Sequence, residues 1–78
     1  MNDFPQDEPR YTRILAAQLA NITLEFLERC EVERLIDVRI ISGDQPGYSA
    51  QDVRHLILIR SLYEDLEIDF PALEVVLN

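Results

Sequence analysis

Cys30 and His55 are each the only residue of their kind in the chain. The side chains most often used for nucleophilic and metal chemistry therefore come singly. One thiol closes no intrachain disulfide, and one thiol with one imidazole falls short of the ligands of a zinc site. No histidine stands near Cys30 in sequence, and Arg29 or Arg34 alone is a weak activator of a thiolate. Cys30 shares a helical face with Phe26 and is expected in the core as a small apolar residue. His55, beside Arg54, is expected at the surface; its neighbours give no support to a pH-sensing role. Carboxylates are plentiful but stand in no catalytic setting. There is no glycine-rich phosphate loop, nucleophile elbow or metal-ligand spacing. The expectation is a protein that is not an enzyme and holds no cofactor.

The carboxylates matter through their sum. Fifteen acids face seven arginines, lysine is absent, and the net charge is −8. Such a chain is repelled at long range by the phosphates of free DNA. The balance suits a basic protein partner, or simply solubility. The acids gather in two groups: Glu25, Glu28, Glu31 and Glu33, then Glu64, Asp65, Glu67, Asp69 and Glu74. Residues 61–78 contain no basic residue. Either group reads as a partner surface or as a solvated helix face. Phe70 reads as a core plug or as an exposed anchor. Tyr11 and Tyr48 are expected at the edge of the domain.

Seventy-eight residues make one domain with a modest core. Residues 1–9, rich in acids and proline, read as a disordered tail, and 10–78 as the domain. No apolar run approaches the roughly 20 residues of a membrane span. The N-terminus lacks the pattern of a signal peptide. The expected location is the cytoplasm.

A first helix is expected from Tyr11 to about Ala20, with Ile14, Leu15 and Leu19 toward the core. Asn21-Ile22-Thr23 reads as a tight turn, with Thr23 capping a second helix. Glu25 suits the dipole of its first turn. Phe26, Leu27 and Cys30 share one face, and Leu35-Ile36 follow near the helix end. Two short helices joined by such a turn make a helix-turn-helix. Val38–Ile41 is β-branched and reads as a strand. The turn cluster Ser42–Gly47 leads to a return strand near Tyr48. Ser49 and Asp52 approach a capping box for a third helix reaching about Asp65. Its broad apolar face comprises Val53, Leu56, Ile57, Ile59, Leu62 and Tyr63, along with the stem of Arg60, which pairs with Glu64 at i, i+4. Asp69 caps a last helix starting at Phe70-Pro71. Ile68 and Leu73 form a staple there, and Val76 and Leu77 continue the apolar face. The pattern is cut at Asn78, where a longer helix could continue.

Residues 17–36 align without a gap on the pattern A-x-x-x-G-V-S-x-x-T-L-R-Y-Y-E-R-E-G-L-I. Asn21 falls on the turn glycine, Thr23 on the cap and Leu35-Ile36 on the closing pair. Asn tolerates left-handed backbone and can replace glycine there. Tyr48-Ser49-Ala50-Gln51-Asp52-Val53 looks like Y-S-x-x-D-V. On these residues the chain resembles the MerR-like winged helix-turn-helix family over residues 11–78. The implied fold is mainly α with a small β-hairpin wing. Asp69-Phe70-Pro71, after a leucine-bearing acidic stretch, is similar to the CbpM-like chaperone-modulator branch.

The departures bear on function. In DNA-binding members an arginine reaches DNA from the second helix; here that position is Glu28. The paired tyrosines become Arg29 and Cys30, and the wing arginine falls on Pro46. A carboxylate at the duplex surface loses a phosphate contact and adds repulsion. Arg29, Arg34, Arg39, Arg54 and Arg60 remain, so DNA is the disfavoured alternative, with the chain as a transcriptional regulator binding as a dimer. CbpM-like proteins bind and restrain the J-domain of a DnaJ-type co-chaperone, which carries a basic helix. The resemblance thus implies a J-domain partner met through Glu25, Glu28, Glu31, Glu64, Asp65, Asp69 and Phe70. A homodimer is expected only through the Phe70–Leu77 helix or another face, because the long pairing helix usual in the family is missing or cut short.

Overall fold

The computed structural model describes residues 8–37, 39–43 and 45–77. Along these the elements run α1 (Arg13–Ala20), α2 (Leu24–Val32), β1 (Arg39–Ser42), β2 (Gln45–Gly47), α3 (Ala50–Glu64) and α4 (Phe70–Leu77). The protein is mainly helical with a small two-stranded antiparallel hairpin. That order is compatible with a helix-turn-helix followed by a wing. The first seven residues of the expected tail lie outside the described residues, as do Val38, Asp44 and Asn78. No described helix is long and apolar enough to cross a membrane.

Local capping chemistry sets the helix limits. The Thr12 hydroxyl accepts the Leu15 N–H at 3.2 Å, so α1 begins after Thr12 rather than at Tyr11. Asn21 ends it with φ 59°. The Asn21 N–H reaches the Gln18 carbonyl at 3.1 Å and the Ile22 N–H reaches that of Ala17 at 2.9 Å. This is the Schellman pattern, which satisfies carbonyls orphaned at a helix end. Thr23 caps α2, accepting the Phe26 N–H at 3.0 Å. The same closure recurs at the far end of α2. Arg34 has φ 59°, its N–H meets the Glu31 carbonyl, and the Leu35 N–H meets that of Cys30. The reversal takes Leu35 and Ile36 off the helix and buries both.

In the hairpin, Arg39 pairs with Gly47 and Ile40 with Pro46; a bulge precedes the Ser42–Gln45 pair. The turn is tighter than the run of turn residues implies, since Gln45–Gly47 already form the return strand. Gly43 sits there with φ 57°, a conformation glycine adopts without strain. Beyond β2, Tyr48 bridges Tyr11: its carbonyl accepts the Tyr11 N–H at 2.8 Å and its N–H returns to the Tyr11 carbonyl at 2.9 Å. The approach to α1 is thereby tied to the base of the hairpin.

Ser49 and Asp52 complete a capping box at the start of α3, with bonds of 3.0 and 2.9 Å. Asp69 accepts the Phe70 N–H at 2.8 Å, and α4 begins there with Pro71 in its first turn. The core gathers Leu27, Cys30, Tyr48, Leu56, Ile59 and Leu73, all fully buried.

Three expectations about faces are corrected. Ala16, Ala17 and Ala20 line the inner side of α1, while Ile14, Leu15 and Leu19 are exposed. Arg13 makes inward polar contacts, described below, and Arg13, Ala16, Ala17 and Ala20 stand at i, i+3, i+4 and i+7, one face of a helix. Ile57 is 41% exposed because Val53, Leu56 and Ile59 already fill the inward stripe of α3. On α4, Phe70, Leu73 and Leu77 turn inward, and Val76 is exposed.

Candidate partner-binding surface

Arg13, Glu31 and Tyr48 converge from α1, α2 and the base of the hairpin. The Arg13 guanidinium donates to the Tyr48 hydroxyl at 3.2 Å and to Glu31 at 2.9 Å. The Tyr48 hydroxyl donates to the other Glu31 oxygen. The Tyr48 hydroxyl, chiefly, and then Glu31 and Glu28 hold Arg13 more firmly charged, against a smaller opposing effect of burial. Burial and the bond to Glu31 push Tyr48 up to about 12. Glu31 is therefore corrected as a contributor to an outer acidic face: its side chain is only 13% exposed and engaged within the molecule. Tyr48 is likewise a core residue, not an edge one. The sequence did not single out Arg13. The one signal was its place on the alanine face of α1.

Glu25 and Glu28 project from α2 into solvent; the Glu28 side chain is 58% exposed and only grazes Arg13 at 4.0 Å. Arg29 is the one arginine of α2. Its guanidinium donates to Glu33 at 2.8 Å and lies over the Phe70 ring at 4.6 Å. In a helix-turn-helix the second helix normally reads DNA. Here its outer side presents two carboxylates, and its arginine is held by an internal pair and a ring.

Phe70 is 4% exposed and is corrected to a core plug. Its ring meets Phe26 at 5.5 Å and Tyr63 at 5.0 Å, and Phe26 meets Tyr63 edge-on at 5.4 Å. This aromatic knot joins α2 to the corner between α3 and α4. It packs α2 against that corner; in sequence Glu25 precedes Phe26, Glu64 follows Tyr63 and Asp69 precedes Phe70. Glu64, Asp65, Glu67, Asp69 and Glu74 are all exposed. Glu64 is 3.5 Å from Arg60 as the i, i+4 spacing requires. An open cleft of about 360 Å³ lies at the corner, lined by Tyr63, Glu67, Ile68 and Asp69.

Among the described residues of α2 and the hairpin, the arginines are Arg29 and Arg39. In the hairpin Arg39 pairs with Asp52 of the capping box, and β2 carries no charged residue. A second open cleft of about 570 Å³ lies where β1 meets α3, lined in part by Arg39, Asp52, Arg54 and His55. Its acids and bases are mixed. His55 is half-buried there rather than fully at the surface. Cys30 is buried as its face implies, and that burial, with the Glu31 charge beside it, pushes the thiol up to about 12. A thiol so placed is inert at neutral pH. Compared with known families and with curated proteins, the chain matches no family model and no curated sequence.

Proposed function

We propose that this protein is a non-enzymatic modulator that binds and restrains the J-domain of a DnaJ-type co-chaperone through an acidic surface built on α2 and the α3–α4 corner. The carrying observation is the outer side of α2, where Glu25 and Glu28 face solvent and Arg29 is bound to Glu33. Such a face favours a basic helix and disfavours a phosphate backbone. Electrostatic complementarity of this kind speeds encounter and selects the partner more than it adds raw affinity.

The MerR-like winged-helix reading is part of the proposal. The two glycines of the family pattern fall on Asn21 and Arg34, and both residues have left-handed backbone, with φ 59° each. Ser49 and Asp52 of the Y-S-x-x-D-V stretch make the capping box. These agreements support the kinship independently of composition. The alternative, a dimeric DNA-binding regulator, requires donors where α2 carries carboxylates.

The test reverses the face. Glu25→Arg with Glu28→Arg is expected to weaken J-domain binding by about tenfold or more, as loss of complementary charge with added repulsion does. Unchanged affinity, with the circular dichroism spectrum preserved, would remove α2 from the contact.

A further inference from the structure

We propose that the cleft at the α3–α4 corner, lined by Tyr63, Glu67, Ile68 and Asp69, seats an arginine side chain of the partner's basic helix. This deepens the functional reading above and rests on it. On the α2 side of the aromatic knot, Arg29 lies over the Phe70 ring at 4.6 Å while donating to Glu33 at 2.8 Å. That is a guanidinium held between a ring and a carboxylate. The cleft offers the same materials around another ring of the knot. Tyr63, 37% exposed, supplies the ring; Ile68 supplies an apolar wall for an aliphatic stem; Glu67 and Asp69 supply carboxylates. None of these described lining residues is basic, and residues 61–78 contain no basic residue at all. A cationic side chain of another chain would complement the cleft.

Arginine fits better than lysine. Its planar guanidinium stacks on an aromatic face and forks to carboxylates at once, whereas an ammonium is a compact, strongly hydrated charge. The volume of about 360 Å³ leaves ample room for one long side chain. Leu66, next to Glu67 in sequence and 64% exposed, gives an apolar neighbour of the partner helix a surface to cover.

The test uses the full chain and two variants that spare the fold. Glu67 has φ 55°, so Glu67→Gly removes a carboxylate at a position where glycine is unstrained. Asp69→Asn keeps a capping oxygen for α4 and removes the charge. Amide NMR spectra are recorded during titration with the J-domain, and separately with an arginine-bearing helical peptide and its norleucine counterpart. The arginine peptide and the J-domain are expected to shift the amides of residues 63–69, the norleucine peptide to leave them in place. Each variant is expected to weaken binding about threefold, and the two together about tenfold. If the J-domain binds and shifts only residues around Glu25 and Glu28, the cleft is overturned and the acidic-face reading stands. If the arginine peptide shifts the cleft residues and the J-domain does not bind, the cleft stands and the J-domain reading falls. If neither ligand moves residues 63–69, the cleft is overturned.

Discussion

Tyr48 holds together parts of the chain that the sequence keeps apart. Its backbone bridges Tyr11, and its hydroxyl joins Arg13 and Glu31. Tyr48→Phe keeps the ring in the core and removes the hydroxyl. The expected cost is about 1–2 kcal/mol in urea unfolding, because Glu31 loses a donor in a largely buried place. Arg13→Met is expected to cost about 2 kcal/mol or more, since it strips the carboxylate of its counter-charge. A smaller loss for Arg13→Met than for Tyr48→Phe would show that the ion pair contributes little. The same site sets an alkaline limit. An unfolded tyrosine loses its proton near about 10 and a cysteine near about 8.5, while in the fold both Tyr48 and Cys30 are pushed up to about 12. Across that window the folded state binds more protons than the unfolded one. Stability is therefore fully present below the unfolded values and falls as pH rises toward the folded ones. Cys30→Ala is expected to delay the onset of that loss toward the tyrosine range, measured by urea unfolding at a series of alkaline pH values. The residue-level chemistry was only half legible. Cys30 declared itself by its helical spacing. The network did not, because Arg13, Glu31 and Tyr48 meet only after three elements have packed.

At the scale of the element, capping was the readable part. Thr23, Asn21 and the Ser49–Asp52 pair each act within one turn of their own position, so sequence alone places them. Ser49→Ala is expected to cost about 1 kcal/mol in thermal or urea unfolding. Arg34 gave no signal of a left-handed position by its own type; only the glycine at that place in the aligned pattern pointed to it. Arg34→Gly is expected to raise stability by about 0.5 kcal/mol, the relief of left-handed strain less the greater freedom of glycine in the unfolded chain. A loss on Arg34→Gly would mean that the exposed arginine side chain contributes more than its backbone costs. The rotation of α1 was also hidden. Ile14, Leu15 and Leu19 outweigh three alanines on any hydropathy scale, yet small residues permit the close approach of neighbouring helices. Arg13 then fixes which side faces inward. Ile57 and Val76 follow the same logic: their helices carry more apolar residues than the core has room for.

Over the whole molecule, the charge of −8 is distributed unevenly. Arg13, Arg29, Arg39 and Arg60 each lie close to a carboxylate. Glu25, Asp65, Glu67 and Asp69 are exposed. The existence of two acid groups could be read in the sequence; the packing of α2 against the α3–α4 corner could not, since it depends on the contact of Phe26 with Tyr63 and Phe70. Val75 and Val76, 77% and 56% exposed, occupy the outer side of α4. Pairing of two copies through that side is expected to appear in light scattering as mass rising with concentration, and Val75→Asp to suppress it. A constant monomer mass at high concentration would rule the pairing out. The central claim, that this acidic face serves a basic protein helix and not a nucleic acid, is tested most directly by titrating the purified protein in parallel against a J-domain and against generic duplex DNA, each at two salt concentrations. J-domain binding that weakens at the higher salt, with no binding to the duplex, is the expected result. Duplex binding that falls steeply with salt, with no J-domain signal, would contradict it.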